Sequence, residues 1–154
     1  TDCHFPSVRS QIIFHDSVTP DIIEKLAEDD SSEVLTSLAM ALTEPHYEDI
    51  LEKLSEKPNR MVQYALSTNS KTPDIALANL AKSNSLVILL NVARHHNIDA
   101  ATQEKLSQSP IHALRMAIAS NPVTKKYILM TLCKDPAKDV AAMAQAMLDK
   151  QISN

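Results

Sequence analysis

The sequence predicts an all-α fold, a right-handed α-solenoid of about five two-helix repeats, and two observations carry that expectation. One apolar spacing keeps returning: Val8, Val34, Val62, Ile88, Leu114 and Val140 are separated by 26, 28, 26, 26 and 26 residues. A period of this size marks stacked units that bury their apolar faces only against their neighbours. The 154 residues also include no glycine, so the left-handed turn positions of tight hairpins lack their usual occupant and glycine-rich phosphate loops are excluded. Eight prolines, with Asn, Asp and Ser, must punctuate the chain instead.

Each element follows from that register. Val8-Arg9, Ile12-Ile13 and His15 fall where the second helix of a unit belongs, 26 residues ahead of Val34 and Leu38. Residues 1–14 are therefore expected to be a partial repeat, as in a piece cut from a longer array, or a cap formed by Phe5 and its neighbours. Units follow at 15–42, 43–68, 69–94, 95–120 and 121–150, with 151–154 as a tail, all in one helical-repeat domain. The first helix of each unit is the shorter, anchored by Leu26, Leu54, Leu80, Leu106 or Leu132. Ile22-Ile23, Ile50-Leu51, Leu77 and Ile128-Leu129 support four of these anchors, whereas Thr102 and Gln103 precede Leu106. The first helix of the fourth unit is thus expected to be the least buried. Second helices are marked by Val34/Leu38, Val62/Leu66, Ile88/Val92 and Leu114/Ile118, pairs four residues apart on one helical face. The last helix, through Ala141-Leu148, is alanine-rich and runs into Asp149-Lys150-Gln151, which suits a terminal cap with one wet face.

The punctuation agrees with this layout. Thr19-Pro20 and Thr72-Pro73 read as a capping hydroxyl with proline at the first helical position, and Asp21 or Asp74 then sits where the helix dipole favours an anion. Asp29-Asp30-Ser31-Ser32, Lys57-Pro58-Asn59, Ser83-Asn84-Ser85, Ser109-Pro110 and Asp135-Pro136 read as turns that end in caps for the second helices.

The best-matching stretch runs from Asn121-Pro122-Val123-Thr124 through Leu129, Leu132 and Asp135-Pro136 to Val140. Asn69, Thr72-Pro73, Leu77 and Leu80-Ala81, and Leu114-Arg115 with Ile118-Ala119, repeat parts of it. This pattern resembles the leucine-rich repeat variant family, whose unit reads Asn-Pro-x-Thr-Pro-x-x-x-Leu-x-x-Leu-Ala-x-Asp-Pro-x-x-x-Val-Arg-x-x-Val-Ala-x-Asn. The resemblance spans essentially the whole chain and lies in the register; HEAT and armadillo arrays share its general form. It implies an α-helix paired with a short 3₁₀ helix in each unit. One kind of member carries an iron–sulfur segment ahead of the array, but such a cluster takes four thiolates and this chain has two cysteines.

Fifteen Lys+Arg against nineteen Asp+Glu give a net charge of -4 and a pI near 5.8, which disfavours a polyanion partner on average. Cys3 and Cys133 lie far apart, so a disulfide framework is not expected and a reducing, cytoplasmic setting is. No apolar run is long enough to span a membrane.

Chemistry-bearing residues are few. His95-His96 are adjacent, and adjacent imidazoles do not converge on one ion; His95 takes the place of Asn69 and Asn121, as a polar turn residue that caps the next helix. Cys3-His4 lacks a second ligand pair for a structural zinc site. Cys133 replaces Ala27 and Ala81 and reads as a buried, inert thiol. No nucleophile–base arrangement and no acid pair stands out, so no enzymatic activity, cofactor or metal is expected. One feature is less ordinary. The helix Leu86-Val87-Ile88-Leu89-Leu90-Asn91-Val92-Ala93 is apolar almost all round, which suits either a helix sandwiched between layers or an apolar groove.

The groove reading points to a non-catalytic protein-interaction scaffold that takes a peptide or protein partner on Met61, Tyr64, Val87, Leu90, Arg94, Arg115 and Met116. The alternative is a nucleic-acid-binding array of the helical-repeat DNA glycosylase type, with Arg60, Arg94 and Arg115 on phosphates. Of the four arginines on or just before second helices, only Arg9 and Arg115 share a register, and for those two a salt bridge to an adjacent unit's carboxylate is the simpler expectation.

Overall fold

A computed structural model describes residues 5–15 and 18–153, apart from the side chain of Pro45. The described residues are helical throughout, with no strand among them. The helices are α1 (Pro6–Ile12), α2 (Pro20–Ala27), α3 (Ser32–Ala41), α4 (Glu48–Ser55), α5 (Arg60–Thr68) and α6 (Asp74–Leu80). They continue as α7 (Leu86–Arg94), α8 (Ala100–Ser107), α9 (His112–Ser120), α10 (Lys126–Leu132) and α11 (Lys138–Ile152), and one 3₁₀ turn, Pro45–Tyr47, precedes α4. None of the described residues has a positive φ, so every described turn uses right-handed or extended backbone, which suits a chain without glycine.

The chain divides into two compact units, Thr1–Asn79 and Leu80–Asn154. In the first, α1 packs on α3 and α3 on α5, while α2 lies against α3 and α4, and α4 against α5. In the second, α7 packs on α9 and α9 on α11, while α8 lies against α9 and α10, and α10 against α11. Within each unit, then, one row of helices (α1, α3 and α5, or α7, α9 and α11) packs in succession, and the helices between them in sequence brace that row.

The recurring apolar positions form the core. Val34, Val62, Ile88, Leu114 and Val140 are at most 1% exposed, and Leu38, Leu66, Val92, Ile118 and Ala144 are fully covered. Burying one such side chain stabilises the fold by about 1.5–3 kcal/mol. Val8 holds the same register in α1 and is 48% exposed; α1 packs mainly on α3, whereas the helix of Val34 has both α1 and α5 beside it.

The fourth first helix differs from expectation. In α8, Thr102, Gln103, Leu106 and Ser107 are all buried, so it is not the least covered of its kind. Gln103 stands where Leu51, Leu77 and Leu129 stand in other units, and it is fully buried. Its Nε2 donates to the carbonyls of Ile98 and Val123, both at 3.2 Å, and its Oε1 accepts the Lys125 N–H at 3.0 Å. Buried polar groups persist where they are hydrogen-bonded, and this amide ties α8 to the start of α10.

The threonines do not all cap. Thr19 precedes Pro20 but makes no side-chain cap, and the Thr72 hydroxyl donates to the Leu66 carbonyl at 2.6 Å. Thr124 does the same to Ile118 at 2.7 Å. Each hydroxyl adds a second hydrogen bond to a carbonyl in the last turns of the preceding helix that already accepts the N–H of Asn69 or Asn121. Asn59 is a true N-cap, its Oδ1 accepting from Met61 and Val62 N–H. In the other turns the oxygen comes from earlier in the loop. Asp29, Ser83, Ser109 and Asp135 each accept the N–H two residues on, at 2.8–3.2 Å, the local turn these side chains favour.

A second set of ties crosses from one helix pair to the one before it. Asn69 Nδ2 donates to the Ala39 and Leu42 carbonyls at 2.7 and 2.8 Å, and Asn121 Nδ2 donates to Ala93 and His95 at 2.8 and 3.1 Å. Each amide oxygen accepts the N–H two residues on, from Lys71 and Val123. His95 does likewise, its Nδ1 accepting from Asn97 at 3.1 Å. It thus closes its own turn and does not cap α8, whose N-cap is Asp99.

Candidate interaction surface

The two arginines that share a register are both held in ion pairs within their own units. Arg9 meets Asp29 side-on, Nε to Oδ2 at 2.6 Å and a terminal nitrogen to Oδ1 at 2.9 Å. Arg115 meets Asp135 in the same way at 2.7 and 3.1 Å, and its other terminal nitrogen donates to the Ser109 carbonyl at 2.9 Å. The pairs are mostly covered, and two parallel bonds between a planar guanidinium and a carboxylate are the stronger, geometrically selective kind.

These pairs shift the acids. Hydrogen bonding to Arg9 holds the Asp29 carboxyl below its ordinary pKa, against the opposing effect of burial. Hydrogen bonding to Arg115 does the same to Asp135. On exposed ground, Lys53 lowers Glu28 and His112 lowers Asp139. A depressed carboxyl stabilises the fold wherever it is ionised in both states, above about pH 4, and that contribution is lost as pH falls through the lower folded-state value. The urea midpoint should therefore be level with respect to these groups from neutral pH to about pH 5 and fall below about pH 4. In the double variant Asp29→Asn/Asp135→Asn it should start lower and lose less on acidification. An unchanged acid limb in that variant would place the pH dependence in other groups.

Among the remaining predicted contact residues, exposure divides them. On α5 in the first unit, Met61 and Tyr64 are 61% and 47% exposed. Met40 on α3, which packs against α5, is also exposed. Sequence reasoning passed over Met40 because it lies beyond the last core position of its helix. In the second unit, Val87 is exposed on α7 together with Leu86, so that helix is not enclosed on all sides. Leu90 on α7 and Met116 on α9 are half-buried, Arg94 at the end of α7 is exposed, and Arg115 is the ion-paired arginine above. Arg60 is exposed at the start of α5.

Little else suggests chemistry. The His95 and His96 rings stack with centroids 4.8 Å apart, His95 being buried and His96 exposed. Among the described residues no group of three or more His, Cys, Asp or Glu is placed to hold a metal ion. Cys3 and His4 lie outside the described residues. Cys133 is half-buried at the end of α10 instead of enclosed, because the helix stops there and the site faces the turn. No helix among the described residues is long and apolar enough to cross a membrane. No family model matches the chain, and no curated protein and no solved structure matches it either.

Proposed function

We propose that the chain is a non-catalytic protein-interaction scaffold, a helical solenoid of the leucine-rich repeat variant or HEAT type with a period of about 26 residues. It takes a peptide or protein on the apolar side of its second helices. The observation that carries this reading is the exposure of Met40, Met61 and Tyr64 on the mutually packed α3 and α5. Large apolar side chains kept in water on neighbouring helices are a recognised mark of a binding surface, and methionine suits one that must adapt to its ligand. Val87, Leu90 and Met116 offer the same chemistry in the second unit. The burial of matching register positions and the alternation of shorter and longer helices from α2 to α11 support the solenoid reading. A composition with two cysteines suits a reducing, cytoplasmic setting.

The nucleic-acid alternative is weaker, because Arg115, one of its three arginines, is already engaged by a carboxylate. The test is selection of helical and extended peptides from a displayed library on the intact chain, followed by binding to Met61→Asp/Tyr64→Asp. The variant should keep its circular dichroism and thermal midpoint and lose the selected peptides by at least about tenfold, as expected for aromatic anchors at a contact centre. Undiminished binding of every selected peptide to the folded variant, and to Leu90→Asp/Met116→Asp, would overturn the reading.

A further inference from the structure

Charge is divided unevenly along the chain. Residues 80–154 contain nine Lys+Arg against five Asp+Glu, whereas residues 1–79 contain six against fourteen. A modest total therefore hides two halves of opposite sign, each able to act on partners through its own field.

In the second unit the positive excess has a definite place. Lys126, Tyr127, Met130 and Lys134 are all exposed, at spacings that put them on one side of α10 and the turn after it. The nearby carboxylates Asp135 and Asp139 are already paired with Arg115 and His112. Neither Lys126 nor Lys134 has an ion pair among the described residues.

In the first unit an open groove of about 590 Å³ lies between α2 and α4. Asp21, Glu24, Glu28 and Asp49 line it together with Ile50, and of its two lysines, Lys53 is bound to Glu28. A basic ridge with two apolar anchors and an acidic groove with an apolar wall are complementary in both charge and polarity.

We propose that the chain self-associates, with Tyr127 and Met130 on α10 of one copy seated in the α2–α4 groove of a second copy and Lys126 and Lys134 set against its carboxylates. A second copy is favoured over a nucleic acid or an anionic membrane by the charge division itself. A polyanion drawn to residues 80–154 is repelled by residues 1–79, while another copy offers the sign each half requires. The two patches differ, so the contact is of the head-to-tail kind. It involves first helices and does not depend on the peptide-binding reading of the second helices.

Sedimentation velocity of the intact chain, over a range of protein concentrations, tests this at about 0.01 M and about 1 M salt, where screening lengths are about 30 and about 3 Å. Association is expected at low salt and a monomer at high salt. Lys126→Glu/Lys134→Glu and Glu24→Lys/Asp49→Lys alter exposed side chains, so both should keep the parent circular dichroism, and each alone should lose at least about tenfold in association constant. Mixing the two variants should restore association, because the reversed ridge of one then meets the reversed groove of the other. A monomer at low salt at every concentration, association that persists unchanged in about 1 M salt, or no recovery on mixing would each overturn the proposal.

Discussion

Replacing Asn121 with alanine is expected to lower unfolding stability by about 3–5 kcal/mol, because the substitution removes the hydrogen bonds to the Ala93 and His95 carbonyls and from the Val123 N–H. All three bonds are made by one side chain that is itself buried. A loss of that size is a large part of the stability of an ordinary domain. Aspartate at the same position keeps the acceptor for Val123 and loses both donors, and it adds a carboxylate beside two carbonyls, so it should rescue little. Asn69→Ala should behave alike, since Asn69 makes the matching bonds to Ala39, Leu42 and Lys71. Urea denaturation of each variant gives the answer. A loss below about 1 kcal/mol for both would mean that water enters and satisfies the freed groups.

Gln103 gives the second large effect, and it runs against the apolar register. Leucine at 103 would match Leu51, Leu77 and Leu129, and by periodicity alone should stabilise α8. The expected result is a loss of about 1–3 kcal/mol, because the gain in apolar burial is smaller than the cost of leaving Ile98 and Val123 carbonyls and the Lys125 N–H unsatisfied. Alanine should cost more, about 3–5 kcal/mol, since it adds a cavity to the same losses. Thermal and urea midpoints would rank the parent above Gln103→Leu and that above Gln103→Ala. Leucine ranking above the parent would show that the amide is not the tie between α8 and α10 described above.

These two residues also mark where the sequence is readable and where it stops being so. Val34, Val62, Ile88, Leu114 and Val140, and the partners four residues on, were legible because burial of a helical face imposes a period on apolar residues. The Arg9 and Arg115 pairs were legible for a related reason, since they occupy one register position and face aspartates in one turn position. The Asn69, His95 and Asn121 alignment was legible as a polar turn, but not its reach to the preceding helix end. Periodicity says nothing about which backbone groups lack partners. So Gln103 looked like a weak apolar site, and the bond from the Thr72 hydroxyl to the helix before it was not legible. The candidate surface was partly legible. Met61, Tyr64 and Val87 are exposed as a contact face requires, Leu90 and Met116 are half-covered, and Met40 was missed.

The reach of the side-chain ties has a kinetic consequence. Asn69 grips Ala39 30 residues back, and Arg9 grips Asp29 20 residues on. Loop-closure entropy grows only with the logarithm of loop length, about 0.6 kcal/mol per doubling, so ties of these spans cost nearly the same to close. Each therefore forms from its own neighbourhood without waiting for distant chain to arrive. Ties of this kind keep their contacts local by comparison with a sheet that pairs distant segments, which favours the faster side of the folding range.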